Sequence, residues 1–285
     1  VSGQADLPGL KLGRIGYLNV LPIYYPLEQG ILPNAFETVS GPPAELNRLM
    51  AGGTLDLSAA SSIEYARNAN RYRLVPDLAI GSQGPVQSVL LLSQNPLARL
   101  EGKTILVSSQ THTSAALLRM LLKRHLGLRT DFASGEITSS LNSPAQPEAF
   151  LAIGDEALIY RRHPEYPYQL DLGQTWLEWT GLPFIFGVWV ASRERLQEDP
   201  QAISRGARLL LEAKAWGTRR LELFAELVAA KGLLDYSELV SYFRGLVFDL
   251  GSREQEGLRC FFEHLAEEGE IPAAPELVFL NARDP

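Results

Sequence analysis

The chain has 285 residues, 46% apolar and 21% charged, a profile that excludes disorder and suits one large domain or two ordinary lobes. A net charge of −7 and a pI near 5.3 exclude a broad footprint for nucleic acid or an anionic membrane, yet leave room for a pocket that takes a small anion. The single cysteine, Cys260, excludes an internal disulfide and a cysteine-rich zinc site, and His112, His125, His163 and His264 lack metal-ligand spacing.

Short β-branched runs alternate with helical patterns, as in α/β proteins. LKLGRIGY (10–17) reads as the first strand and ends in Tyr17-Leu18-Asn19, after which Pro22 prevents a central strand from continuing. PAELNRLMAGG (43–53) reads as an amphipathic helix closed by two glycines. LDLSAASSIEYARNANRY (55–72) runs from a short strand through a serine-rich turn into a helix, and LVPDLAIGSQGPVQSVLLLSQ (74–94) reads as a strand, a Gly/Pro break and a second strand. The pattern restarts near 97. KTILVSSQ (103–110) is a strand, and THTSAALLRMLLKRHLG (111–127) is a helix ended by Gly127. Residues 137–150 are polar and turn-rich, and AFLAIGDEALIYRR (149–162) opens as an apolar strand that stops at Gly154-Asp155. A loop from 168 leads to the strand PFIFGVWVA (183–191), and 195–280 is mostly helical, with Cys260 at core spacing.

The strands at 86–93 and 184–192 are placed to carry the chain between two halves. A discontinuous lobe (1–92 plus 190–285) and an inserted lobe (93–189) make a clamp whose cleft encloses a small ligand. No run of about 20 apolar residues is present, so no membrane span is expected, and the start lacks a basic region followed by an apolar one, which points to the cytoplasm.

Five polar turns follow strands: YLN (17–19), AASS (59–62), GSQGPVQS (81–88), SSQTHTS (108–114) and IGD (153–155). Small hydroxyl and amide side chains there can cap helix starts, and the same turns can receive a carboxylate or phosphate. Strand ends of such sheets converge at a crevice. A joint site of Tyr17, Asn19, Ser61, Ser62, Ser82, Gly84, Gln87, Ser88, Thr113, Ser114 and Gly154 is therefore expected. Thr113 and Ser114, before an uncharged helix start, form the best single anion site. Gly84 permits close backbone approach, by a ligand or at a hinge. Asp155 either caps the helix that follows or acts as an acid–base group; Glu64 and His112 allow the same pair of readings, as groups for chemistry or as solvent-facing side chains. Pro183, Phe184, Phe186 and Trp189 form an apolar wall that packs the hinge or covers a flat ring. No phosphate-binding loop, nucleophile elbow or dinucleotide fingerprint occurs, which leaves cofactor-free chemistry or binding.

Taken in order, RIGYLNVLPIYYPLE, DLSAASSIEYARN, LVPDLAIGSQGPVQSVLLLS, HTSAALLRMLL, AFLAIGDEAL and DLGQTWLEWTGLPFIFGVW resemble the chorismate dehydratases of the futalosine pathway of menaquinone biosynthesis. The likeness covers nearly the whole chain and is firmest over 13–192. The sister enzymes that make 1,4-dihydroxy-6-naphthoate share the fold, but their first strand ends in a Ser-Pro-Cys-Pro-Asn-Asp-type loop where this chain has Tyr17-Leu18-Asn19. The resemblance implies a type II periplasmic-binding-protein-like fold, α/β and two-lobed, with two crossover strands and a ligand cleft between the lobes. It implies a cytoplasmic lyase that converts chorismate to 3-[(1-carboxyvinyl)oxy]benzoate and water without a metal or other cofactor. Asn19 then holds a substrate carboxylate or the leaving hydroxyl, and the ring proton passes to the substrate's own carboxylate or to Asp155. A solute-binding protein for a small carboxylate, or the sister enzyme, would use the same frame. The oligomeric state is open.

Overall fold

The computed structural model describes residues 9–34, 36–232 and 234–281. The first stretch runs through β1 (Leu10–Arg14), α1 (Leu21–Glu28), β2 (Phe36–Ser40), α2 (Pro43–Ala51), β3 (Leu57–Ser61), α3 (Ser62–Asn68) and β4 (Tyr72–Ser82). The middle stretch comprises β5 (Val89–Ser93), β6 (Thr104–Val107), α4 (Thr113–Met120), β7 (Asp131–Ser134), α5 (Ile137–Leu141), β8 (Ala149–Ile153), α6 (Gly154–Tyr160), β9 (Tyr168–Asp171) and α7 (Leu172–Thr180). The last contains β10 (Phe184–Ser192), α8 (Arg193–Glu198), α9 (Pro200–Thr218), α10 (Leu221–Ala229), α11 (Tyr236–Gly245), β11 (Leu246–Val247) and α12 (Ser252–Glu267).

Six strands form one sheet in the order β11-β4-β10-β3-β1-β2, and five form a second in the order β7-β6-β8-β5-β9. β1 runs parallel to β2 and β3, and β6 parallel to β7 and β8. β10 and β5 are inserted antiparallel to their neighbours. These two are the strands expected to carry the chain across, and each follows directly on a passage between the sheets, at 83–88 and 181–183. We propose that the lobes divide at those two passages, because the expected boundaries at 92/93 and 189/190 would cut β5 and β10.

β5 is buried throughout and β8 nearly so, which is why both read as unbroken apolar runs. β2 and β7, the outer strands of their sheets, are half-exposed or exposed and lack that signal. The segment from 168, expected as a loop, forms β9 and α7. There the Asp171 carboxylate accepts the Gln174 N–H at 3.1 Å, the apolar face Leu172 and Trp176 turns inward, and Gly181 ends the helix in the left-handed region at φ 72°. α5 likewise begins inside the segment expected as turns, because Glu136 accepts the N–H groups of Thr138 and Ser139. The first strand stops at Arg14, three residues earlier than expected, and 15–17 lead away to the cleft. Cys260 is partly buried against the core, as its spacing implied.

Behind the cleft, α9 lies along α1. Gly217 is required there, since a Cβ would run into the backbone of Pro22. Pro22 stands three residues after Asn19, so this contact sets the depth of the turn that carries it. Gly217→Ala is expected to lower unfolding free energy by about 1–3 kcal/mol through overpacking. A denaturant midpoint equal to that of the parent would show that α1 yields without cost.

Candidate functional site

One cavity is lined from both sheets. Tyr17 and Asn19 enter it after β1, Ala59–Ser61 at the end of β3, Ser88 and Val89 at the start of β5, and Gln110–Ser114 from the turn after β6 into the first residues of α4. Ile153 and Gly154 enter from the end of β8, and Phe186, Gly187 and Trp189 from β10. Its apolar side is rigid: Trp189 is fully buried, its indole N–H donates to the Tyr24 hydroxyl at 3.2 Å, and that hydroxyl donates to the Gly13 carbonyl at 2.7 Å.

Three polar atoms in this cavity are orphaned. Asn19 Oδ1, Ser61 Oγ and Thr111 Oγ1 are buried with no hydrogen-bond partner among the described residues. A buried polar group left unpaired costs about 1–3 kcal/mol, so three around one space favour a polar occupant there.

Two hydrogen bonds join the two sheets' strand ends next to the cavity. Asp155 Oδ1 accepts the Leu18 N–H at 3.0 Å, and Thr113 Oγ1 accepts the Ile63 N–H at 3.1 Å. Beside them Gly154, at φ +59°, lies against the Tyr17 ring, where a Cβ would come within 2.7 Å of Cδ1. Tyr17 and Leu18 are thus both held from the opposite sheet.

Of the residues expected in the site, Tyr17, Asn19, Ser61, Ser88, Thr113, Ser114 and Gly154 line the cavity. Asp155, Ser62, Ser82, Gly84 and Gln87 lie outside its lining. Ser62 donates instead to the Ile185 carbonyl, which ties α3 to β10. Ser82 is completely buried at the end of β4. Gly84 and Gln87 both have positive φ, 122° and 61°, in the passage between sheets. There the Asp171 carboxylate accepts the N–H groups of Val86 and Gln87 at 3.0 and 2.7 Å, so these residues shape the connection. Of the apolar wall, Phe186 and Trp189 face the cavity, whereas Phe184 packs on Trp176 and Phe261. His112 stands exposed at the rim. Glu64 lies outside the lining, its carboxylate accepting from Tyr72 and Asn68.

Thr111 and Gln110 belong to the site and were not singled out in the sequence. The turn SSQTHTS contains them, but a residue two places before a helix cap carries no capping signature. Asp171 was also legible in principle: Asp followed by Gln three residues on is a helix-start pattern, yet its grip on 86–87 is tertiary.

The lining contains two titratable side chains, Tyr17 and His112, and neither Lys nor Arg. Burial, then the charges of Asp155 and Glu156, push the Tyr17 phenol up, so it stays protonated at neutral pH. Anions can be met here by neutral hydroxyl, amide and backbone N–H donors. Among the described residues no group of three or more His, Cys, Asp or Glu is placed to hold a metal ion, and no helix is long and apolar enough to cross a membrane.

A family model described as menaquinone biosynthesis matches residues 10–267. The chain is 31% identical over 280 residues to the chorismate dehydratase of Thermus thermophilus, covering 93% of this chain and 96% of that one. It is 23% identical over 280 residues to the 1,4-dihydroxy-6-naphthoate synthase of the same organism, covering 96% and 100%. Among solved structures, a Candida albicans gene product with the generic periplasmic-binding-protein fold superposes with a TM-score of 0.70 at 13% identity, covering 95% of this chain and 93% of that one. The two sheets and their connections therefore have that fold.

The acids at the start of α6 carry a pH signature. Glu156 is pushed up to about 7, first by burial and then by the charge of Glu136. The folded chain keeps this proton up to about 7, whereas the group's ordinary value is 4.5. Between those values the folded state binds more protons than the unfolded one, so stability falls as pH rises. Glu156→Gln is expected to flatten that slope in melting curves taken across the window; parallel slopes for parent and variant would contradict it.

Proposed function

The chain belongs to the menaquinone biosynthesis family, and on that premise we propose that it is a chorismate dehydratase, a hydro-lyase. It converts chorismate to 3-[(1-carboxyvinyl)oxy]benzoate and water. The observation that carries this reading is the set of orphaned oxygens on Asn19, Ser61 and Thr111 around a cavity with an aromatic side. Chorismate brings two carboxylates, a ring hydroxyl and a flat ring, which match a cradle of neutral donors beside Phe186 and Trp189. The start of α4, with Thr111 and Ser114 beside it, suits one carboxylate. Asn19, whose amide both donates and accepts, positions the other carboxylate or the leaving hydroxyl.

The reaction removes a ring proton and expels the hydroxyl from the adjacent carbon, and the ring becomes aromatic. It is redox-neutral and balances as the loss of one water. Asparagine, serine and threonine do not take up a proton near neutral pH, the Tyr17 phenol is held protonated, His112 stands exposed at the rim, and one oxygen of Asp155 is engaged by Leu18. The substrate's own carboxylate takes the proton in this reading. A place of action in the cytoplasm goes with this biosynthetic reading.

Incubation of the purified protein with chorismate should yield a product lighter by the mass of one water. Asn19→Ala should lower kcat/KM by about a hundredfold, the size of effect seen on removing one positioned polar partner. Tight binding of chorismate with no loss of mass would favour a binding protein of the same fold. Consumption of a futalosine-derived substrate in place of chorismate would favour the sister activity.

A further inference from the structure

We infer that Asp155 is a positioning residue that makes the alignment of Asn19 depend on closure of the two lobes. This inference rests on the dehydration reading for its kinetic consequences, but its structural basis is independent. The short helical turn Leu18–Val20 begins with an N–H that has no acceptor within its own turn. Tyr17, at the capping position, makes no side-chain cap. The missing acceptor is Asp155 Oδ1, 137 residues further on and attached to the other sheet.

The neighbouring residue strengthens the coupling. Gly154 lies against the face of Tyr17 at a backbone conformation that favours glycine, and it receives its own place from a hydrogen bond of its N–H to the Ser88 carbonyl at 2.7 Å. Both residues that precede Asn19 are therefore held by the end of β8, while Asn19 itself makes no hydrogen bond through Oδ1. Among the described residues that oxygen finds no donor. What orients it is the pair Tyr17-Leu18, and what orients that pair lies across the cleft. Separation of the lobes removes the cap and the ring contact together, so Asn19 is aimed only when the cavity is shut.

This role differs from that of a base in what the side chain must keep. A cap needs an acceptor oxygen, which asparagine retains; a base needs a proton affinity that asparagine lacks. Asp155→Asn should therefore keep turnover within about tenfold of the parent, the difference between a charged and a neutral acceptor. Asp155→Ala should lose about a hundredfold, carried by kcat rather than KM, as misalignment at the reacting centre does. In an Asn19→Ala background, Asp155→Ala should add little, because the group it positions is gone.

Hydrogen exchange at the Leu18 amide, measured with chorismate bound, gives a readout independent of turnover. The amide should be protected in the parent and in Asp155→Asn, and should exchange freely in Asp155→Ala. Equal protection in parent and Asp155→Ala, or an Asp155→Asn variant as inactive as Asp155→Ala, would overturn the inference. Loss of protection in Asp155→Ala, in a protein whose parent leaves chorismate unchanged, would uphold the cap and reject the dehydration reading.

Discussion

The N–H groups of Leu18 and Ile63 stand at the starts of helical turns, where no intrahelical acceptor exists, and each is satisfied by a side chain from the opposite sheet. The ends of β1 and β3, which carry Asn19 and Ser61, are thereby completed by the ends of β8 and β6. Neither half of the cavity has its final geometry alone. Each of these bonds contributes a net stabilisation of about 1 kcal/mol, somewhat more where the acceptor is charged. They act beside an apolar core that runs on between the two halves, where Trp176 packs on Phe184 and Phe261.

The connection that allows such a clamp is itself tightly specified. Asp171 accepts from Val86, Gln87 and Gln174 at once, so a single carboxylate fixes the passage into β5 and starts α7. Burial pushes this carboxyl up, against the lowering by the N–H groups it accepts from. Arg161, just past α6, reaches both Gln87 at 3.3 Å and Glu238 of α11 at 2.7 Å. α6 therefore touches the first sheet's lobe at both ends, through Asp155 at its start and Arg161 beyond its finish.

Much of this was legible in the sequence, and the limits have physical causes. Hydroxyl and amide residues between a strand and a helix identified five turns, all of which supply cavity residues, because strand ends in such sheets converge. Within a turn, direction was not legible. Ser61 and Ser62 are adjacent and chemically identical, yet one faces the cavity and the other bonds to the Ile185 carbonyl. The choice depends on β10, which arrives 123 residues later. Asp155 shows the same limit. Its position at a strand end is local information, but its partner is a backbone N–H of the other sheet, and no spacing rule reports that. β2 and β7 escaped notice for a different reason: outer strands with one wet face lack the apolar run by which β5 and β8 announce themselves.

The absence of lysine and arginine from the cavity lining bears on the chemistry proposed for it. A guanidinium paired with a substrate carboxylate would bind it well but would lower its pKa by about 1–3 units, which weakens it as a base. Hydroxyl and amide donors hold the same group with less loss of basicity, and a dry aromatic side such as that of Phe186 and Trp189 raises its proton affinity further by desolvation. A site that relies on the substrate's own carboxylate should therefore be neutral, polar and closed. In the proposed reading the Ser61 and Thr111 hydroxyls can donate to such a carboxylate, whereas Asn19 Oδ1, an acceptor, suits the substrate's hydroxyl.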